Sequence, residues 1–377
     1  MEAIQPKKEK KGGRLRWILL GAFLALAFTA AIILIVVGKM NETFPEIPQT
    51  DEEKSPVFTV GDETATYDLY RYYFLGYKNL MSGGDDSYFE DKDTAAIYAE
   101  IDERVRADIA RLYASLALAE RLGVTDREID EIYDELLRLT RSGGEFAGMV
   151  YVGFESEEAY KKSLAENNMS DAVYRLVLRA YAAEYKASAA FAVNASEYLS
   201  SKDEDMYAFF MGEDAVHVAY AYIDKGSFLN TDGAYELALI AEARLGEVAH
   251  DLSAFIRTAI QYSSPSVSTV SLKKGMYLTR YHASGSAQEN LTEIAFSLAA
   301  GEMSGIIETD EGYFILRRMN TTEEDLRAAD RELLYEGYFA NHFYKMLHES
   351  TESLLLQMTE TDFYATLTFE TVGYTED

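Results

Sequence analysis

From Trp17 to Val37 the chain runs 21 residues without a charge. No other stretch limits its architecture as strongly. A helix rises about 1.5 Å per residue, so about 20 apolar residues are what it needs to cross a hydrocarbon core. Lys7, Lys8, Lys10, Lys11, Arg14 and Arg16 come just before. Cations on that flank predict a cytoplasmic N-terminus and an extracytoplasmic bulk. The apolar region of a cleaved signal peptide is shorter, about 7–15 residues. Here the cleavage-like triplet Ala25-Leu26-Ala27 lies inside the run, with Ile32 to Val37 still to come. The expectation is an uncleaved single-pass anchor in the cell membrane, with residues 1–16 as a basic tail and 17–37 as the transmembrane helix.

Charge divides the chain at the same place. The first 40 residues carry a net +5 within a total of −29, which leaves the other 337 at −34. Phosphate binding needs clustered cations, so a bulk this acidic argues against a nucleic-acid partner. Cysteine is absent, which excludes disulfides, a thiol nucleophile and thiolate metal sites. No cofactor or metal site is expected.

Residues 38–55 are polar and unpatterned and read as a stalk. A short strand is expected at Val57–Val60, then a helix from Tyr67 to Met81 dense in tyrosine. Ile101, Val105, Ile109, Leu112, Leu116 and Ala119, at spacings of three or four, predict an amphipathic helix over 97–122. Gly123 stops it, and Thr125-Asp126-Arg127-Glu128 reads as a capping box for the next helix. Ser156 and Ser170 are expected to cap two more helices. After residue 213 strands and helices mix. Val216–Ile223 reads as a buried strand, Tyr235–Val248 and Leu252–Ile260 as helices, and Gly275–Leu278 as a strand. Glu289–Leu298 reads as a helix and Gly312–Arg317 as a strand. A long helix follows Thr322. The tail, with Phe363, Ala365, Leu367 and Phe369 alternating, predicts a period-2 strand over 362–372 that pairs with the first strand.

Two stretches carry a family resemblance. Helix–Gly123-Val124-Thr125-Asp126-Arg127-Glu128-Ile129–helix, followed by a serine-capped long helix, resembles the N-terminal chaperone domain of the PrsA/SurA group. Ile294-Ala295-Phe296-Ser297-Leu298 and the run from Gly301 to Leu316 resemble the closing segments of a parvulin-type prolyl isomerase. Beside the anchor, the resemblance implies an α+β fold with a mainly helical chaperone body over 56–212 and 321–377 and an inserted parvulin-like domain at 213–320. It implies unfolded or nascent secreted proteins as partners.

Rotation about an X–Pro imide is slow, with a barrier of about 18–20 kcal/mol. A catalyst must grip the proline in an apolar pocket and stabilise the twisted amide with polar groups. Active parvulins use two histidines, a Cys or Asp, and apolar residues including Met and Phe. By the resemblance, His217 falls on the first histidine, on a strand face shared with Ala219 and Ala221. The second histidine position is Phe314, and the Cys/Asp position is Pro265. The pocket positions are Ala287, Leu291 and Phe296. His250, His282, His342 and His348 have no partners at metal-binding spacing. The leading expectation is a chaperone whose parvulin-like domain has lost catalysis. The alternatives are an isomerase using His217 and the pocket around Phe296, or a scaffold subunit of a cell-envelope complex.

Overall fold

The computed structural model describes residues 43–373, apart from residue 148, residues 229–230 and residues 283–287. The expected anchor at Trp17–Val37 lies outside the described residues. Among those described, no helix is long and apolar enough to cross a membrane. The residues fall into two compact units. One runs to Val193 and resumes at Met346, and the other is Asn194–Lys345.

The first unit opens with β1 (Pro56–Val60), β2 (Glu63–Thr66), α1 (Tyr67–Ser82), α2 (Thr94–Arg121) and α3 (Asp126–Ser142). It continues with β3 (Gly144–Phe146), β4 (Met149–Tyr151), α4 (Glu157–Glu166) and α5 (Asp171–Val193). The predicted caps form. Thr125 and Glu128 make the reciprocal capping box of α3, the Ser156 side chain accepts from the Ala159 amide, and the Ser170 hydroxyl accepts from the Val173 amide at 3.1 Å. These caps are local chemistry, in which a side-chain oxygen answers an amide that the helix leaves unbonded. The tyrosine-rich stripe of α1 faces inward, where the Tyr70 hydroxyl donates to Asp102 at 2.8 Å.

The second unit holds α6 (Ala195–Tyr198), α7 (Asp203–Phe210), β5 (Ala215–Asp224), α8 (Thr231–Val248), α9 (Leu252–Tyr262) and α10 (Thr269–Lys274). After these come β6 (Met276–Thr279), α11 (Gln288–Ser297), β7 (Ile307–Glu308), β8 (Gly312–Arg318), α12 (Glu323–Ala328) and α13 (Arg331–Gln357). The unit boundary at Lys345 falls within α13. The chain closes in the first unit with β9 (Thr359–Glu360) and α14 (Phe369–Gly373).

The second unit is built on an antiparallel sheet of order β6-β5-β8-β7. Its two faces differ in kind. Ala219, Ala221 and Ile223 face α8 and α9, and meet Ala234, Ala238, Ala241 and Leu245. Small residues on both sides let that helix lie close. Val216, Val218 and Tyr220 face the other way, toward Leu272 of α10 and Leu291 and Ala295 of α11.

Two expectations need correction. Residues 362–372 are not a strand: Tyr364–Thr366 form a 3-10 turn and Phe369–Gly373 a short helix. Phe369 and Val372 are the buried residues there, at helical spacing, and Phe369 lies 5.1 Å from Phe89 and 5.9 Å from Phe74. The first strand is joined from the C-terminal side by β9, through Phe58↔Glu360 and Thr59↔Thr359. The second correction concerns the stalk. Phe44 is buried at 4% exposure, and Arg175 donates to its carbonyl at 2.9 Å. Residues 43–55 are thus partly bound to the helical body, although their composition carries no periodic signal.

Candidate functional site

The central strands decide which side chains meet. In the β5–β8 ladder Tyr222 stands opposite Phe314 and Tyr220 opposite Leu316. Residues directly opposite one another in an antiparallel pair project on the same face. Tyr222 and Phe314 have ring centroids 4.6 Å apart, and Tyr220 and Phe314 6.3 Å. From α11, Leu291 joins the core of this face and Phe296 packs against it. The guanidinium of Arg280 lies 4.6 Å over the Phe296 ring, and Asp214 holds that arginine at 3.2 Å.

Leu291 at 2% and Tyr220 at 9% exposure form the floor. Phe314, Tyr222 and Phe296 are only half-buried. The face is therefore a largely apolar shelf on which three rings are partly exposed. Burial raises the Tyr220 phenol above its usual range. Burial, with Asp224 and Glu311 nearby, does the same for Tyr222. Both stay neutral hydrogen-bond donors at physiological pH. The Tyr222 hydroxyl donates to the Glu311 carbonyl at 3.2 Å, while that of Tyr220 makes no hydrogen bond among the described residues.

The serine-rich loop after α9 serves the sheet rather than the chemistry. The Tyr222 amide donates to Ser263 Oγ at 3.1 Å and the Asp224 amide to Ser264 Oγ at 2.8 Å. The Ser264 amide donates to the Tyr222 carbonyl at 2.8 Å. The loop so completes the stretch of β5 edge that β6 does not reach. Pro265 itself is exposed.

His217 does not belong to this site. It stands opposite Tyr277 of β6, and strand alternation puts it with Ala219 on the face away from Tyr220, Tyr222 and Phe314. Its ring stacks on Tyr277 with centroids 4.0 Å apart and planes 15° apart. Nε2 lies 2.8 Å from the Lys274 carbonyl, so Nε2 carries the proton and Nδ1 is left buried without a partner among the described residues. Burial lowers its pKa. Gly275 explains itself here. Its φ is +74°, and a Cβ would fall 2.7 Å from His217 Nε2 and 2.5 Å from the Val218 carbonyl. Of the residues expected to line the site, Leu291, Phe296 and Phe314 are brought together, His217 is not, and Ala287 lies outside the described residues.

Tyr220 and Tyr222 escaped the sequence reading, which placed the site on the His217–Ala219–Ala221 face. The signal was present in side-chain size. An Ala-Ala face invites a closely packed helix, whereas a Val-Tyr-Tyr face can line a groove.

Residues 231–320 match the rotamase family, described as the PPIC-type PPIase domain. The chain contains a parvulin-type domain. The resemblance carried by Gly301–Leu316 is thereby borne out. Among solved structures, PrsA from Bacillus subtilis is similar at 15% identity, covering 81% of this chain and 93% of that one, with a TM-score of 0.24. Foldase protein PrsA from Streptococcus pneumoniae str. Canada MDR_19A is similar at 13% identity, with coverages of 80% and 91% and a TM-score of 0.26. The peptidylprolyl isomerase PrsA from Bacillus anthracis gives 15%, 67%, 99% and 0.22 for the same quantities. No curated protein sequence matches the chain.

Proposed function

We propose that this protein is a membrane-anchored extracytoplasmic folding factor of PrsA/SurA character that holds unfolded secreted proteins. Its parvulin-type domain, on this reading, binds polypeptide without turning it over. One observation carries the proposal. At the position where the family usually has its second histidine, Phe314 presents a ring tilted against that of Tyr222, and the chain's nearby histidine lies on the opposite face of the sheet. A shelf of half-open aromatic rings suits apolar and proline-containing segments, because large rings contribute most of the contact energy at such surfaces. The anchor at 17–37 would keep the acidic bulk at the outer membrane surface. There it would meet chains as they emerge and repel anionic lipid.

Suppression of client aggregation tests this reading. The full chain in detergent is expected to slow aggregation of a chemically unfolded secreted protein. Phe296→Ala combined with Tyr222→Ala is expected to weaken that effect several-fold without loss of the folded far-ultraviolet spectrum. Equal suppression by both proteins would remove the shelf from client binding. A second reading, residual isomerase activity, is favoured by the Tyr220 hydroxyl at the same face, which makes no hydrogen bond among the described residues. It would make that phenol, rather than His217, the group that donates to a twisted amide.

A further inference from the structure

Thr43-Phe44-Pro45-Glu46-Ile47-Pro48-Gln49 lies on the helical body without regular secondary structure. The body holds it in two ways. The Phe44 ring stacks on Tyr160, with centroids 4.7 Å apart and planes 4° apart, and meets Phe154 edge-on at 6.4 Å. The Arg141 guanidinium lies 4.7 Å over the same ring. The main chain is held separately. Arg141 donates to the Thr43 carbonyl at 3.1 Å, Arg175 to the Phe44 carbonyl at 2.9 Å, and the Ile47 amide donates to Asp171 at 3.0 Å.

The groove's own parts brace one another. Asp171 is buried, accepts from the Tyr160 hydroxyl at 2.6 Å and holds Arg175 at 2.7 Å. By contrast, Pro45, Glu46 and Pro48 are exposed. These contacts read one aromatic ring, two carbonyls and one amide and pass over Pro45, Glu46 and Pro48, while at the far end the Gln49 side-chain amide donates to Asp68 at 2.6 Å. Contacts to the main chain are indifferent to sequence, and proline reduces the entropy an extended segment loses on binding. Beyond Ile47 the groove opens into a cavity of about 680 Å³ lined by Pro48, Asp68, Arg71 and Lys161 among others, which leaves room for a longer occupant.

We propose that this groove is a second polypeptide-binding site, filled in the free protein by residues 43–49. In their place it takes an extended segment of an unfolded protein carrying an aromatic side chain. The proposal rests on the reading of the chain as a holder of unfolded protein. It makes the membrane-proximal segment a built-in competitor, so that client binding on the body releases the tether.

The test uses the full-length chain in detergent and a fluorescein-labelled peptide with the sequence of residues 43–49. Phe44→Ala in the chain weakens the competitor and is expected to raise peptide affinity about tenfold or more. A peptide with alanine in place of its phenylalanine is expected not to bind, and adding Tyr160→Ala to Phe44→Ala is expected to abolish binding. Equal affinity of wild type and Phe44→Ala, or of the two peptides, would overturn the proposal. If Phe44→Ala fails to fold, wild-type protein gives the answer through amide deuterium uptake over 43–49. Faster uptake with excess peptide supports displacement, and unchanged uptake marks the segment as a fixed part of the fold and overturns it. Displacement without any holding of unfolded client would leave the groove standing and remove the folding-factor reading. Client holding without displacement would do the reverse.

Discussion

At the scale of single residues, the parvulin-type domain turns on which face of β5 a side chain occupies. Alternation alone groups His217 with Ala219 and Ala221, and that grouping was legible in the sequence. Which face carries the site was not, because it depends on the helices that cover each side. Alanines at 234, 238 and 241 close the His217 face, and only the fold brings them there. Two predictions belong here. Phe314→His is expected to leave prolyl isomerisation at background in a peptide assay, since the new imidazole would meet Tyr222 and not His217. A gain in rate would show that one histidine on this shelf suffices. The other concerns pH. Burial lowers the His217 pKa in the folded state, so the unfolded chain takes up the proton first as pH falls below about 6.5. Its stability contribution is present above that pH and lost below it. His342 is shifted the same way, so the difference between wild type and His217→Gln isolates the effect. Melting from pH 7.5 to 5 is expected to fall more steeply for wild type, and parallel curves would contradict the burial argument.

At the scale of elements, local chemistry was easy to read and tertiary contact was not. Thr125 with Glu128 announces a helix start within four residues, and the start is where it should be. The tail shows the opposite. Phe363, Ala365, Leu367 and Phe369 alternate as a strand would, yet β1 already pairs with Thr359–Glu360. The tail then folds so that Phe369 enters the cluster of Phe74 and Phe89. Lys78, almost fully buried, donates to the Gly373 carbonyl and pairs with Asp86 at 2.8 Å, which ties the same segment down. Phe369→Ala is therefore expected to cost about 3–5 kcal/mol in chemical denaturation, the usual range for deleting a buried ring. A loss below about 1 kcal/mol would mean that this end of the chain is not part of the core. The segment at 43–49 was misread for the same reason as the tail. Its apolar anchor is a single phenylalanine, and its other contacts are to main chain except for the Gln49 side chain on Asp68, so composition gives no pattern to find.

At the scale of the whole molecule, the sequence made the parvulin-type domain legible through one stretch. Gly301 to Leu316 was enough to indicate the family of the residues matched at 231–320. It did so because glycines and apolar residues at fixed spacing encode the last strands of the sheet. The division at Val193/Asn194 and Lys345/Met346 was harder to see, since the second boundary falls inside one continuous helix. The central claim is that this domain binds polypeptide and no longer isomerises it. The most direct measurement follows cis-to-trans conversion of a series of short X–Pro peptides by the full chain in detergent, beside Tyr220→Phe and His217→Ala. The account predicts no acceleration over the uncatalysed rate for any peptide, from a preparation that still suppresses client aggregation. Acceleration that disappears in Tyr220→Phe would place a working site on the aromatic shelf and contradict the claim. Acceleration that disappears in His217→Ala would contradict it as well, and would move the site to the face that the fold covers with α8.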